Sequence, residues 1–157
     1  MKKILIVYES RSGNVKEMAG LIRNAITEKC FETKMLSVDE ASNNDLLESD
    51  AIIIGSYTSY GILAGGTKEF FDKTISIHGM LQNKIGAAFA SSGGFGGGNE
   101  TTVLSILQML LVHGMIIAGD SESPHYGVVS IGKADDQVKK ACIRLANRVM
   151  ELLNKIK

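Results

Sequence analysis

Three short segments of this 157-residue chain gather the side chains and glycines that hold anions and flat rings. The first is Ser10-Arg11-Ser12-Gly13-Asn14-Val15. A dianionic phosphomonoester needs several converging donors, and the hydroxyls of Ser10 and Ser12, the Asn14 amide and backbone N–H groups at a helix start supply them. Gly13 lets the backbone turn tightly around the anion. The segment lacks the Gly-Lys-Ser/Thr of a triphosphate-binding loop and has one glycine where a dinucleotide fingerprint has three. Phosphate binding stands here beside the plainer reading of a capped strand–helix turn. The second segment, Ser56-Tyr57-Thr58-Ser59-Tyr60-Gly61, sets two tyrosines among small hydroxyl residues. They could offer a face and polar groups to an aromatic ring, or simply pack on the surface. The third runs Ser91-Ser92-Gly93-Gly94-Phe95-Gly96-Gly97-Gly98-Asn99-Glu100. Ordering so many glycines costs backbone entropy, so close approach of backbone amides to a ligand accounts for them better than a flexible linker does.

Each segment follows an apolar run and precedes a helical repeat. Ile4 to Tyr8 reads as a strand covered on both faces, and Val15, Met18, Ala19, Ile22 and Ile26 recur at helical spacing. Asn14 is the expected N-cap, with Glu17 three residues on. A second strand is expected at Phe31–Val38, a brief helix at Asn43–Glu48, and a third strand at Ala51–Ile54, ending in Gly55-Ser56. Thr67 is the expected cap of a helix carrying Phe70, Phe71 and Ile75. Ile85–Ala90 reads as strand four and Glu100–Val112 as the next helix. A fifth strand begins at Met115–Ala118, is interrupted by Asp120–Tyr126 and resumes at Val128–Ile131. In the last helix Val138, Cys142, Leu145, Val149, Leu152 and Ile156 form one apolar stripe, leaving Lys139, Lys140, Arg144 and Arg148 on a solvated face. The alternation predicts one α/β domain over residues 1–157, a three-layer sandwich around a five-stranded parallel sheet in the order 2-1-3-4-5. Ligands of such sheets lie outside the carboxyl ends of the strands where the order reverses, and the three segments leave strands 1, 3 and 4 at that edge.

Bulk properties narrow the function. Hydrophobic residues make 45% of the chain and charged residues 22%, ordinary for a globular domain. Lysine plus arginine equals aspartate plus glutamate, 17 of each, so no basic excess points to nucleic acid and no basic amphipathic stretch to a membrane surface. Apolar stretches fall well short of the roughly 18–20 residues that span a bilayer. The run Ile4–Val7 is too short for a signal peptide and has no small-residue cleavage site behind it, so a cytoplasmic protein is expected. Cys30 and Cys142 read as reduced structural thiols, and no His/Cys cluster suggests a metal. A phosphoacceptor receiver domain of similar architecture needs an aspartate at the end of strand 3. That strand ends Ile54-Gly55-Ser56, and only Glu9 stands near the end of strand 1.

The three segments, in this order, resemble the flavodoxin superfamily, and within it the tryptophan-repressor-binding-protein-like NAD(P)H:quinone oxidoreductases (type IV). Ser10 to Val15 is similar to that family's phosphate loop. Gly55 to Gly61, followed by Lys68-Glu69-Phe70-Phe71-Asp72-Lys73-Thr74, is similar to its ring-contacting loop and next helix. Gly96-Gly97-Gly98-Asn99-Glu100-Thr101-Thr102, ending in His113-Gly114-Met115, resembles its fourth-strand loop and helix. The resemblance implies a flavodoxin-like fold that binds flavin mononucleotide (FMN). It implies phosphate on Ser10 to Val15, and isoalloxazine contacts from the second segment, chiefly Thr58, Ser59 and Tyr60, and from Ser91 to Gly97. It implies electrons passing from NAD(P)H to a quinone or similar acceptor, or to a redox protein, with assembly as a homo-oligomer, dimer or tetramer. His113 by itself reads as a helix-terminal histidine favoured by the dipole, before the C′ glycine Gly114. The resemblance makes it a flavin contact and the one catalytic candidate. The chain departs from the family in being shorter, in having no tryptophan for the family's aromatic wall, in reading Ile75-Ser76-Ile77-His78-Gly79-Met80 in that region, and in carrying Ser12 where a tyrosine is usual. These departures fall on the nicotinamide and quinone sites. The rival reading is a flavodoxin-type electron carrier with no turnover of its own, against which a net charge of zero weighs, since carriers of this kind are strongly acidic. Val103 to Val112 is apolar almost all round, which suits either a subunit interface or deep burial.

Overall fold

A computed structural model describes residues 1–29 and 31–156; the expectation for Cys30 lies outside them. Strands β1 (Lys3–Glu9), β2 (Glu32–Ser37), β3 (Ala51–Ser59), β4 (Ile62–Leu63), β5 (Ile85–Ser92), β6 (Ile116–Ile117) and β7 (Val128–Ile131) alternate with helices α1 (Asn14–Thr27), α2 (Asn43–Glu48), α3 (Gly65–Lys73), α4 (Asn99–Val112) and α5 (Asp136–Lys155), and a 3₁₀ turn follows α3 at Thr74–Ile77. The sheet runs β2-β1-β3-β5 and ends in β6 and β7, both parallel to β5. This is the expected 2-1-3-4-5 order, with β6 and β7 the two halves of the fifth strand.

The apolar runs serve both faces of the sheet. Ile4, Ile6, Ile53 and Phe89 pack under α1 and α5 with Met18, Ile22 and Val149. Leu5, Val7, Ile52 and Ile54 alternate to the other face and pack with Phe70, Ile106 and Leu110. Three layers result, and burial on both sides explains why these strands lack a polar alternation. Gly55 sits opposite Phe89 in the β3–β5 pairing, and a Cβ there would lie 2.1 Å from the Phe89 ring. The glycine makes room for the ring.

Several expected boundaries move. The N-cap of α1 is Gly13, at φ 92°, and Asn14 is the first helical residue. Helix α3 starts at Gly65 behind Ala64, so Thr67 lies inside the first turn instead of capping it. The carboxylate of Glu9, at the end of β1, does the capping: it accepts the Thr67 N–H (2.5 Å) and the Thr67 hydroxyl (2.7 Å). β3 continues to Ser59, so most of the second segment is strand, and Ile62–Leu63 folds back antiparallel on Thr58–Ser59.

The interruption of the fifth strand is tied down from α5. Arg144 forks onto Asp120 (2.5 and 2.6 Å) and also reaches Glu122. The guanidinium, with the Glu122 N–H, holds the Asp120 carboxyl down at about 2. Cys142 is buried in the α1–α5 core as a free thiol, and burial pushes it up to about 12. Both features fit a structural thiol.

Candidate functional site

The carboxyl ends of β1, β3 and β5 bring the three segments together around a cleft of about 450 Å³. Its lining is Arg11, Ser12, Asn14 and Val15 from the first, Tyr57 to Tyr60 from the second, and Ser91, Ser92 and Gly93 from the third. Ser10, Gly13, Ser56, Gly61, Gly94, Phe95, Gly96 and Gly97 stand behind or beside it, and His113 stands elsewhere.

The first segment presents a helix start. With Gly13 left-handed, α1 begins so that the Lys16 N–H reaches the Ser10 hydroxyl (3.2 Å) and the Glu17 N–H the Gly13 carbonyl (2.9 Å). Among the described residues the Asn14 and Val15 N–H groups have no acceptor. The Asn14 amide donates to the Ser12 hydroxyl (3.1 Å), leaving that O–H free to point outward. Two bare N–H groups, a hydroxyl, an amide and the positive end of a fourteen-residue helix are donors of the kind that can hold an anion. Glu9, the nearby carboxylate, is committed to α3, and a Cβ on Gly66 would meet it at 2.8 Å.

The second segment presents an aromatic. Tyr60 is fully exposed on a backbone with φ 49°, a conformation that costs a residue with a Cβ about 1–2 kcal/mol. Ser56 contributes nothing to the lining: it is fully buried, donating to the Tyr57 carbonyl (2.8 Å) and accepting from the Ala64 N–H (2.9 Å).

The third segment's glycines divide their duties. Gly93 and Gly94 have open space around them. A Cβ on Gly97 would lie 2.8 Å from the Gly94 carbonyl oxygen, and one on Gly98, at φ 90°, would lie 2.6 Å from Gly61 Cα. These two are required by chain packing against chain, not by a ligand, which corrects the single explanation the sequence suggested for the whole run. Phe95 is fully exposed at the tip. The Ser91 and Ser92 hydroxyls donate to the carbonyls of Gly132 (3.0 Å) and Gly94 (3.1 Å), which fixes the loop to the end of β7 and to itself.

His113 ends α4, fourteen helical residues from the rim, or about 21 Å at 1.5 Å per residue. Within one chain it does not reach the cleft. It lies in an apolar hollow of about 430 Å³ with Phe71, Ile75, Met109 and Val112 at the opposite edge of the sheet. The Thr74 hydroxyl donates to the Phe71 carbonyl (2.6 Å), so His113 Nε2 donates to Thr74 (2.8 Å) and Nδ1 is the unprotonated nitrogen, buried without a partner among the described residues. Burial first, and His78 second, push its pKa below 6.5 and keep the ring neutral. A third cleft, of about 510 Å³, follows β7 between α4 and α5. Size therefore does not select the site; the bare helix N–H groups and the reversal of strand order do. Among the described residues no three His, Cys, Asp or Glu side chains group to hold a metal, and no helix is long and apolar enough to cross a membrane.

Sequence reasoning missed the supports. Glu9 carries a readable signal, an acid ending a strand beside a helix start, whereas the Thr101 hydroxyl on the Gly61 carbonyl (2.5 Å) and the Thr102 hydroxyl beside that of Thr58 (2.9 Å) needed the fold.

This architecture defines a doubly wound α/β protein with a cleft at the switch point of its sheet. The flavodoxin family profile matches residues 6–101. A flavodoxin of Aquifex aeolicus (strain VF5) is 38% identical over 160 positions, covering 96% of this chain and 86% of that protein. An NAD(P)H dehydrogenase (quinone) of Archaeoglobus fulgidus is 28% identical over 190 positions, covering 99% of this chain and all of that one. The crystal structure of a flavodoxin, WrbA-like protein from Agrobacterium tumefaciens shares the fold over the full length of both chains, with a TM-score of 0.86 at 19% identity. The chain belongs to the flavodoxin family. The Archaeoglobus relative's name agrees with the quinone-reductase resemblance, and the Agrobacterium structure shows the fold.

Proposed function

We propose that the rim cleft holds FMN and that the chain passes electrons through it as a flavodoxin does. The observation that carries this reading is the convergence of a bare helix start and an exposed aromatic on one cleft of about 450 Å³, a size suited to a small cofactor. The Asn14 and Val15 N–H groups, the Asn14 amide and the Ser12 hydroxyl bind the phosphate, and Arg11 balances its charge. Thr58, Ser59, Tyr60 and the backbone of Ser91 to Gly93 hold the ring. The cofactor, when bound, supplies the redox chemistry, and the chain fixes it and limits its contact with water. The lining offers no carboxylate or imidazole, so proton transfer is left to solvent and partners.

The carrier reading is favoured over turnover because His113, the one catalytic candidate, lies far from the cleft and no tryptophan wall accompanies it. Transfer from NAD(P)H to a quinone is the second reading, and the Archaeoglobus relative's name favours it. A homo-oligomer accords with the exposure of Leu111 and Val112 on α4, which sedimentation velocity tests. Titrating apoprotein into FMN tests the cofactor: quenching of flavin fluorescence at one-to-one stoichiometry is expected, and unquenched fluorescence overturns the reading. Anaerobic mixing of the FMN-loaded protein with NADH or NADPH then separates the two functions. A carrier stays yellow over minutes, and a reductase bleaches at once.

A further inference from the structure

The hairpin that carries Tyr60 is too small to stand alone. It has two rungs, Thr58 with Leu63 and Ser59 with Ile62, and a two-residue turn in which Tyr60 (φ 49°) and Gly61 (φ 83°) are both left-handed. Isolated two-stranded hairpins are marginal in water even when longer. This one hangs on the first turns of α4. The Thr101 hydroxyl donates to the Gly61 carbonyl (2.5 Å). The Thr102 hydroxyl lies 2.9 Å from that of Thr58. The Ser105 hydroxyl accepts the Leu63 N–H (3.0 Å) while donating to the Thr102 carbonyl (2.7 Å). Thr101, Thr102 and Ser105 stand at i, i+1 and i+4, on one side of the helix, and between them they address the tip, one strand and the other strand of the hairpin.

We propose that Thr101, Thr102 and Ser105 are positioning residues that brace the Tyr60–Gly61 turn in the conformation that receives the ring. This rests on the FMN reading above and deepens it. The brace also sets the polarity of Thr58. Thr102 has one proton and two acceptors in reach, the Gly98 carbonyl (2.8 Å) and Thr58 (2.9 Å). When Thr102 donates to Thr58, the Thr58 proton is free for the cleft. When Thr102 donates to Gly98, Thr58 donates back and turns lone pairs to the cleft. One hydroxyl therefore meets a ligand atom that needs a donor or one that needs an acceptor.

The test uses Thr101→Val, which keeps shape and removes the hydroxyl at an exposed position, Thr101→Ser, which restores it, and Ser105→Ala. Hydrogen exchange of the Gly61 to Leu63 amides in FMN-free protein reads the brace, and fluorescence titration reads affinity. The expected result is faster exchange in Thr101→Val and Ser105→Ala, and FMN binding about fivefold weaker, the worth of one net hydrogen bond. Thr101→Ser should return both towards wild type. Wild-type exchange and affinity in both Thr101→Val and Ser105→Ala overturn the positioning role. Failure of the wild type to quench FMN, with hairpin exchange still accelerated in the variants, overturns the cofactor reading while upholding the brace.

Discussion

Gly98→Ala, set against Gly96→Ala, separates backbone strain from contact between loops. Both glycines have left-handed φ values, 90° and 67°, so a methyl group at either costs about 1–2 kcal/mol of conformational strain. Around Gly96 there is nothing within 4 Å, so strain is the whole cost. At Gly98 the new Cβ falls 2.6 Å from Gly61 Cα and 3.3 Å from its carbonyl carbon. Non-bonded carbons prefer about 3.5–4.0 Å, so the hairpin tip must retreat by about 1 Å, and overpacking of this kind costs about 1–3 kcal/mol more. Urea unfolding of the FMN-free proteins should find Gly98→Ala less stable than Gly96→Ala by no more than that second amount. Without ligand the tip relaxes outward and relieves part of the clash, and binding must push it back. FMN affinity should therefore drop by the part relieved, up to about 100-fold, in Gly98→Ala and stay near wild type in Gly96→Ala. Equal stability and equal affinity in the two variants refute the reasoning, because the Gly98–Gly61 contact would then carry no energy.

Other outcomes follow from single sites. The Asp120 carboxyl, held at about 2 against an ordinary 3.8, contributes stability that is full above pH 3.8 and is lost as pH falls through about 2; Asp120→Asn should flatten that limb of an acid-unfolding curve measured by circular dichroism. Cys142, raised to about 12 by burial, should resist a colorimetric disulfide reagent at pH 8 in a Cys30→Ser background until urea unfolds the protein. His113→Ala should leave FMN affinity within about twofold of wild type, since α4 separates it from the cleft by about 20 Å; a larger loss in sedimentation-verified monomer refutes the single-chain geometry. His113 is held neutral in the fold and charges more readily when unfolded, so wild-type stability should fall as pH drops below 6.5, and a His113→Phe variant should lack that slope.

Strand and helix order was legible because burial on both faces demands unbroken β-branched runs such as Ala51–Ile54, and amphipathic helices show their period. Boundaries were less so. Ser56 to Ser59 read as a loop because hydroxyl side chains mark turns in sequence, yet here they extend β3 beyond the apolar core, where only backbone pairing declares a strand. The caps at Gly13 and Glu9 escaped because one depends on φ and the other on a residue far away in the chain. The need for Gly98 depends on Gly61, a partner that no local pattern reveals. The position of His113 was available from counting: a helix that leaves the carboxyl rim and runs fourteen residues must end at the other edge.

The division of the last strand into β6 and β7 has an evolutionary consequence. Each half keeps its own register on β5, against Ile85–Gly86 and against Phe89–Ser92, and Arg144 clasps the intervening stretch from outside. Amino acids can be gained or lost between Ile117 and Val128 without sliding either half along its neighbour. The fold thus has an expansion joint on its flank, where new surface for meeting other molecules can arise while the cleft on the rim keeps its shape.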